Sequence, residues 1–295
     1  MPTFLVTGAT GNVGLEVLRS LSAAGLASEL RAGVRDVAKA QTQLREVPRA
    51  APVQFDFNDA STFGPALRGV AGVFLLLPPG LPQAEARFGQ LVEAARAAGV
   101  QHVVFMSVQG VEDNRFIPHH KLEKLLAASG LHCTFLRPSY FMQNFNTTLR
   151  ADVVGRSRIF LPAGQARFTL IDVRDIGRVA AEVLLRPAGH AGQAYALTAA
   201  EPLTFGEMAA ELSRGLGRTV RYESPSPLRF FFIKKREGVP VTFILVMIML
   251  HYLPRFQRQP PTTDWVQRLT GHAPRTFAEY VRDYRAELIS APSVG

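Results

Sequence analysis

A glycine-rich stretch, TFLVTGATGNVGLEVLRSL at residues 3–21, sets narrow limits on the fold of this chain. An apolar strand pattern runs into Gly8, Gly11 and Gly14, and an apolar-periodic helix follows at once. Such a loop either makes a tight turn or holds a pyrophosphate on backbone N–H groups at the helix N-terminus. The position between a strand and a helix favours the pyrophosphate site. The predicted cofactor-binding residues of this loop are Gly8, Thr10, Gly11, Asn12 and Val13.

The first half of the chain alternates apolar strand patterns with single helix patterns. Near-continuous apolar strands separated by helices predict a parallel sheet covered on both faces, and right-handed crossovers make it a doubly wound Rossmann sheet. The predicted strands are TFLVT, SELRAGV, VQFDF, GVFLLL, HVVFMSV and HCTFLRP, and the predicted helices cover about 12–24, 36–46, 60–68, 83–98 and 118–129.

The alternation breaks after about residue 150. There RFTLIDVRDIGRVAAEVLL indicates a short strand and a helix, QAYALT indicates a late strand, and Thr204 with Glu207 indicates a capping box. We therefore predict an α/β protein with a Rossmann domain over 1–150 and a smaller C-terminal α/β substrate lobe over 151–295. The pattern near 168–200 leaves open a return of the chain to the main sheet.

The segment 228–256 contains the longest apolar run, from Val239 to Leu250. Its 12 residues are too few for a bilayer-spanning helix, which needs roughly 20. A buried helix or a hydrophobic lid over a pocket is the favoured interpretation. Docking on a membrane surface, helped by Lys234, Lys235 and Arg236, is the minor alternative.

Composition narrows the choice of compartment and partner. The net charge is +9, but 28 arginines against five lysines are dispersed along the chain, so nucleic-acid binding is not predicted. The single cysteine, Cys133, excludes an intramolecular disulfide framework and fits a reducing compartment. A strand pattern begins at once, with no basic leader or cleavable apolar segment, which predicts a cytoplasmic protein. No metal site is predicted.

The end of the second strand pattern indicates which dinucleotide binds. A ribose 2′-hydroxyl is usually met by an acidic residue at this position, whereas a 2′-phosphate needs cations. Arg35 and Lys39 stand there with no preceding acid, so NADP(H) is favoured over NAD(H). Asp56 and Phe57, after the third strand, are predicted to contact the adenine.

Several motifs together resemble the NmrA-like branch of the atypical short-chain dehydrogenase/reductase superfamily. They are TGATGNVG, RAGVRDVAKA, VFLLLPP, FMSVQGV, KLEKLLAASGLHCTFLRPSYFMQNF, DVRDIGRVAAEVL and LTGHAPRTFAEYVRDY. The resemblance implies a Rossmann fold and a nicotinamide cofactor. The family includes NADPH-dependent quinone and azo-dye reductases, triphenylmethane reductase, and redox sensors that bind a dinucleotide without turning it over.

The resemblance also assigns residues to the nicotinamide half of the cofactor. They follow the fourth, fifth and sixth strands, where an open α/β sheet places its ligand. The implied cofactor-binding residues are Leu76, Leu77, Pro78, Ser107, Pro138, Ser139 and Phe141, with Tyr140 beside them. Ser107 and His119 are the candidate catalytic residues.

The chain departs from the superfamily at its proton donor. Where the pattern Tyr-x-x-x-Lys is expected, Arg115 takes the tyrosine position and His119 the lysine position. Lys121 is a poor substitute, because two residues turn a helix by about 200°. His119 or His120 could orient the nicotinamide ribose, bind substrate or relay a proton, or both could be surface histidines.

Two functions follow from these observations. The first is an NAD(P)H-dependent reductase that passes hydride to a quinone-like or other conjugated apolar acceptor. Reduction of a quinone does not require the tyrosine as proton donor, because the reduced anion takes a proton from water. The alternative is a non-catalytic NAD(P)-sensing regulator that binds a protein partner. A membrane partner is not expected, apart from surface contact through 228–256.

Overall fold

The computed structural model describes residues 2–25, 29–259 and 261–290. It divides into two compact units. The first comprises Met1–Ser139, Val173–Thr198 and Thr263–Ala273, and the second comprises Tyr140–Asp172, Ala199–Thr262 and Pro274–Gly295.

Among the described residues, the strands of the first unit are four to seven residues long and those of the second unit two or three. The strands are β1 Thr3–Thr7, β2 Glu29–Val34, β3 Ala50–Gln54, β4 Val70–Leu76, β5 His102–Met106, β6 His132–Pro138, β7 Tyr140–Phe141, β8 Arg158–Phe160, β9 Arg167–Phe168, β10 Leu170–Ile171, β11 Ala194–Leu197, β12 Leu203–Thr204 and β13 Arg221–Glu223.

The α-helices connect or cover these strands. They are α1 Asn12–Ala23, α2 Val37–Gln43, α3 Phe63–Leu67, α4 Ala84–Ala97, α5 Pro118–Ala127, α6 Arg150–Arg156, α7 Val173–Leu185, α8 Phe205–Leu216, α9 Pro227–Arg236, α10 Val241–Tyr252, α11 Trp265–Thr270, α12 Phe277–Asp283 and α13 Arg285–Ile289. Three short 3₁₀ helices cover Ala60–Thr62, Met142–Phe145 and Leu253–Phe256.

The first unit is built on a seven-stranded sheet in the order β11-β6-β5-β4-β1-β2-β3. Every strand pair in it is parallel. The side chains of β1 are all buried, as expected for a strand covered on both faces. The strand order reverses between β1 and β4, which confirms the predicted doubly wound Rossmann fold.

Close packing fixes the first helix of this unit. α1 packs against α7, and a Cβ added at Gly177 would lie 2.6 Å from the backbone oxygen of Glu16. Another core cluster joins aromatic side chains beneath α3, α4 and α5, including Phe57 and Phe88, whose rings stack at 5.3 Å.

The third strand differs from its prediction. The pattern VQFDF predicts a strand over 53–57, whereas β3 covers Ala50–Gln54. The strand is at the edge of the sheet, where Pro52 is tolerated because the ladder on one side is unpaired. Asp56 and Phe57 consequently lie in the turn that follows β3.

The second unit contains three two-stranded pairings, β7 with β10, β8 with β13, and β9 with β12. Its core includes the fully buried Phe145, Phe205 and Tyr280. The predicted capping box is present, because Thr204 accepts from the amide of Glu207 and the Glu207 carboxylate accepts from the Thr204 amide.

The unit boundary is at 139/140 rather than at the predicted 150, because β7 pairs with β10 instead of joining the main sheet. The pattern near 168–200 returns to the first unit as Val173–Thr198, where β11 pairs with β6.

The segment 228–256 forms α9, α10 and the 3₁₀ helix Leu253–Phe256. Only one stripe of α10 is buried, at Ile244, Met247 and His251, so the interpretation as a buried helix is wrong for most of its residues. Within the described ranges, no helix combines the length and apolar character needed to cross a membrane.

Candidate nucleotide-binding site

The loop between β1 and α1 is a tight glycine turn at the point where the strand order reverses. Gly8 has φ of 60°, and the amide of Gly11 donates to its carbonyl at 2.9 Å. A Cβ at Gly8 would lie 2.5 Å from a methyl group of Leu76. A Cβ at Gly14 would lie 2.3 Å from the Gly8 carbonyl oxygen. The backbone at Gly8 therefore lies against the end of β4 and the backbone at Gly14 lies against Gly8, with no room for a side chain at either glycine.

The N-terminus of α1 can accept an anion. Its N-cap is Gly11, which provides no side-chain cap, and the first turn contains no acidic residue. The first amides of a helix have no acceptor within it, and their dipoles favour negative charge. Thr10, Gly11 and Asn12 are exposed there, while the Val13 side chain is buried in the core.

Thr7 supports this loop and was not predicted from the sequence. Its hydroxyl donates to the Phe74 carbonyl at 3.0 Å and accepts from the Leu76 amide at 3.3 Å. The bonds join the ends of β1 and β4 below the glycine turn. A threonine at a strand end gives no sequence signal for such a role, because its partners are about 70 residues away.

The end of β2 presents two cations. Arg35 and Lys39 are exposed, and no hydrogen bond or ion pair of either side chain to another described residue is found. The backbone around them is fixed, because Asp36 accepts from the Lys39 amide at 2.9 Å and caps α2. Gln54 donates to the Arg35 carbonyl at 2.9 Å. The geometry leaves both charges free for an anionic ligand.

The predicted adenine contacts have other partners as well. The Asp56 carboxylate accepts from the Asn58 amide at 2.9 Å within its own turn. The Phe57 ring is 7% exposed and stacks on Phe88, so this ring belongs to the core. Contact with an adenine would therefore come from Asp56 or from the main chain.

Two buried hydroxyl groups follow β5 and β6. The Oγ atoms of Ser107 and Ser139 have no hydrogen-bond partner among the described residues. Burying an unsatisfied polar atom costs about 1–3 kcal/mol, which indicates a site made for a polar ligand. Leu76, Leu77 and Pro78 are half-buried at the end of β4, and Pro138 ends β6. These carboxyl strand ends meet the glycine loop at one edge of the sheet.

Two histidines begin α5, near the end of β5. The His119 ring centroid is 6.2 Å from that of Phe105. Burial lowers the pKa of His119, and the Glu123 carboxylate only partly offsets this effect, so His119 is neutral at neutral pH. His120 bonds the Val111 carbonyl through Nδ1 at 2.9 Å. Its buried Nε2 has no partner within the described part of the chain.

The remaining positions of the expected proton-donor pattern do not form a pair. Arg115 is exposed and lies before the first residue of α5, so it shares no helix with His119. Lys121 is engaged with Glu85 at 2.8 Å. Glu123 is held by Arg137 through two hydrogen bonds of 3.0 and 2.7 Å, which fixes the carboxylate one turn after His119.

Tyr140 and Phe141 belong to the second unit. Phe141 is half-buried in β7. The Tyr140 hydroxyl donates to His251 Nε2 at 3.2 Å, and His251 Nδ1 donates to the Met247 carbonyl at 2.6 Å. Burial raises the pKa of Tyr140 and lowers the pKa of His251 to about 4, so both groups are neutral. His251 was not singled out from the sequence.

The arrangement in the first unit fits a dinucleotide. The loop offers the amides at the N-terminus of α1, the end of β2 offers two cations, and the ends of β5 and β6 offer buried hydroxyl groups. Together these groups match the phosphates and the other polar groups of a nicotinamide dinucleotide.

Comparisons with known proteins identify the family of this chain. The sequence profile of the NmrA-like family matches residues 2–252. An NAD(P)H azoreductase from Xenophilus azovorans is 34% identical over 289 residues, covering 96% of this chain and 98% of that protein. Quinone oxidoreductase 2 from Escherichia coli is 30% identical over 239 residues, covering 80% of this chain and 82% of that protein.

Among solved structures, the Citrobacter sp. triphenylmethane reductase complexed with NADP(H) has a TM-score of 0.82 and 26% identity. The match covers 95% of this chain and 99% of that one. With a family match over most of its residues and a relative aligned along nearly its whole length, this chain belongs to the NmrA-like family.

Proposed function

We propose that this protein is an NAD(P)H-dependent reductase that passes hydride to a quinone-like or other conjugated apolar acceptor, with NADPH preferred over NADH. The observation that carries the proposal is the glycine loop at the reversal of the sheet, in a chain related to an azoreductase and a quinone oxidoreductase. The assignment of a nicotinamide cofactor is supported by the same relatives and by the similar reductase solved with NADP(H).

Different residues of the site would hold different parts of the cofactor. The amides from Gly8 to Val13 would hold the pyrophosphate, and Arg35 with Lys39 would hold a ribose 2′-phosphate. Asp56 and the main chain at Phe57 would meet the adenine. Within the first unit, the residues assigned to the nicotinamide half are Leu76, Leu77, Pro78, Ser107, Pro138 and Ser139.

The nicotinamide, when bound, supplies a hydride. Ser107 and Ser139 would satisfy their buried hydroxyl groups on polar atoms of the ligand. His119 is neutral, so it can donate a hydrogen bond from one ring nitrogen and accept on the other. A quinone that receives a hydride needs one proton to become a hydroquinone. His119 or water can provide it, because the reduced anion is a far weaker base than an alkoxide.

The direct test is turnover. We expect the purified protein to oxidise NADPH in the presence of quinones, azo dyes or triarylmethane dyes, followed by nicotinamide absorbance. Replacing His119 by asparagine or Ser107 by alanine should reduce kcat by about tenfold or more. His272, which is exposed, provides the matched control His272→Asn, with unchanged turnover. Nucleotide binding without turnover across the panel would contradict the reductase and favour the nucleotide-sensing alternative.

The preference for NADPH has its own test in Arg35→Asp. The substitution removes a cation and adds repulsion toward a 2′-phosphate, so Kd for NADPH should rise by about 10- to 150-fold, from charged hydrogen bonds of about 1.5–3 kcal/mol. The Kd for NADH should change little. Arg45, another exposed arginine of the same unit, gives the control Arg45→Asp, which should leave both values unchanged. Equal losses for both nucleotides in Arg35→Asp would show that the phosphate binds elsewhere.

A further inference from the structure

Helix α10 is apolar on both its inner and its outer face. Its twelve residues, VTFILVMIMLHY, include no acidic, lysine or arginine side chain. Ile244, Met247 and His251 form its buried stripe and pack into the core of the second unit. A surface helix ordinarily has polar residues opposite such a stripe. Here the outer face is also made of large hydrophobic side chains.

The exposed apolar residues are concentrated in this one segment. Among the described residues, ten of the twelve exposed large hydrophobic side chains lie between 228 and 256. They are Leu228, Phe232, Val241, Phe243, Leu245, Val246, Met249, Leu250, Leu253 and Phe256, each 42–72% exposed. Scattered exposed hydrophobics are ordinary, but a concentration of this kind marks a surface that another molecule covers.

Cations accompany these side chains. On α9, Leu228, Phe232, Lys235 and Arg236 recur at helical spacing and are all exposed. The exposed cations of the segment and of the residues just after it are Arg229, Lys235, Arg236, Arg255 and Arg258. We refer to the ten hydrophobic and five cationic side chains as the basic-apolar surface.

Acidic groups do not balance these cations. The one acid between 224 and 259 is Glu237. Its carboxylate is already paired with Lys234 at 2.9 Å and with Arg156 at 2.7 Å. Lys234 itself is buried and bonded to Asp152, so it is not part of the surface. The segment therefore presents hydrophobic side chains together with cations, and its own carboxylate is already paired.

This charge pattern selects the occupant. In a two-fold contact with a second copy, the same patch meets itself, which would bring five cations against five cations while Glu237, the acid of the segment, is already paired. An anionic lipid surface matches both properties, since headgroups attract lysine and arginine while the interface accepts the apolar side chains. Arg255 lies over the rings of Tyr252 and Phe256, at 5.1 and 5.9 Å, an arrangement of aromatic and cationic groups suited to headgroup depth.

We propose that the basic-apolar surface docks on membranes that contain anionic lipids, with α10 lying in the plane of the interface. Twelve helical residues extend for about 18 Å, less than the roughly 30 Å of a hydrocarbon core, so the contact is peripheral. The proposal does not depend on the proposed reductase activity, because vesicle binding is measured without cofactor or acceptor.

The test is flotation with vesicles of phosphatidylcholine alone and of phosphatidylcholine mixed with phosphatidylglycerol. We expect the protein to float with the mixed vesicles, to bind phosphatidylcholine at least tenfold more weakly, and to be released by salt. The double variants Leu245→Glu/Leu250→Glu and Lys235→Glu/Arg236→Glu should each lose tenfold or more of this binding. Circular dichroism and thermal unfolding establish that the variants are folded.

Phe116 provides a matched control, because it is 95% exposed and lies in the other unit. Phe116→Glu should bind mixed vesicles as the parent does. The proposal is overturned if folded parent protein does not bind the mixed vesicles, or if both double variants bind them fully. Light scattering tests whether a second copy of the chain covers this surface instead. The proposal is also overturned if the parent protein is a dimer that does not bind vesicles and Leu245→Glu/Leu250→Glu makes it monomeric.

Discussion

Replacing Gly14 by alanine should weaken the binding of both NADPH and NADH by at least tenfold. The added Cβ would lie 2.3 Å from the Gly8 carbonyl oxygen, 2.7 Å from the Gly8 carbonyl carbon and 3.0 Å from the Ala9 Cα. These are backbone atoms, so the loop and α1 must move apart. Overpacking of this kind costs about 1–3 kcal/mol of stability. The same movement displaces the amides proposed to hold the pyrophosphate. Isothermal calorimetry with each nucleotide measures the loss.

Gly89 is the matched control for this substitution. It lies within α4 of the same unit, and a Cβ there would meet nothing within 4 Å. Gly89→Ala should leave nucleotide binding unchanged and raise stability by about 0.5–1 kcal/mol, because alanine favours the helix. Retention of parental affinity in Gly14→Ala would mean that the loop tolerates the shift and does not position the phosphates.

The first half of the fold could be predicted because its signals are local. Apolar runs with single helices between them determine a parallel sheet, and the glycine loop marks its first crossover. The third strand was predicted too far toward the C-terminus, because Phe55 and Phe57 continue an alternating pattern beyond the end of β3. Pro52 weakens the strand pattern within β3 itself. These phenylalanine rings pack on Phe63 and Phe88, and the Phe57–Phe88 contact joins residues too far apart in the chain for a local pattern to show it.

The candidate site was only partly accessible for the same reason. Gly8, Gly14 and Arg35 stand at positions fixed by neighbouring strand and helix patterns. The orphaned hydroxyl of Ser107 was located only through a family resemblance, and that it is unpaired is visible only in three dimensions. Thr7 was missed altogether, since its partners on β4 are distant in sequence.

The outer face of α10 marks another limit of sequence reasoning. A continuous apolar run does not show whether its second face meets protein or solvent. The exposure of Leu245 and Leu250 and the ion pairs of Glu237 decide this question, and both are visible only in the folded structure. The buried cluster around Asp152 is likewise absent from any local pattern, because Lys234 is 82 residues away in the chain.

Asp152→Ala should lower the free energy of unfolding by about 3–5 kcal/mol, as expected when one partner of a buried ion pair is removed. Asp152 is 2% exposed. One carboxylate oxygen accepts from Arg158 Nε at 3.0 Å and from Arg156 at 3.1 Å, and the other accepts from Lys234 Nζ. Without this carboxylate, Glu237 is the remaining ion-pair partner of the buried Lys234 ammonium among the described residues. Urea unfolding followed by circular dichroism measures the change.

The pH dependence of this difference distinguishes a charge effect from a cavity. Burial tends to raise the pKa of Asp152, but the hydrogen bonds and charges of Lys234, Arg158 and Arg156 outweigh it and lower the pKa. The carboxylate therefore stabilises the fold above its unfolded-state pKa, and this contribution is lost as the pH falls through the lower folded-state value. The gap between parent and Asp152→Ala should accordingly narrow from about pH 7 to about pH 3.

A control and the isosteric variant complete this experiment. Glu93→Ala removes an exposed carboxylate that lies 3.8 Å from Arg96, and it should cost no more than about 0.5 kcal/mol. Asp152→Asn preserves the side-chain volume but not the charge, so its free energy of unfolding should be close to that of Asp152→Ala. If the asparagine variant retains parental stability, or if the gap does not change with pH, packing rather than charge holds α6 and α9 together at this point.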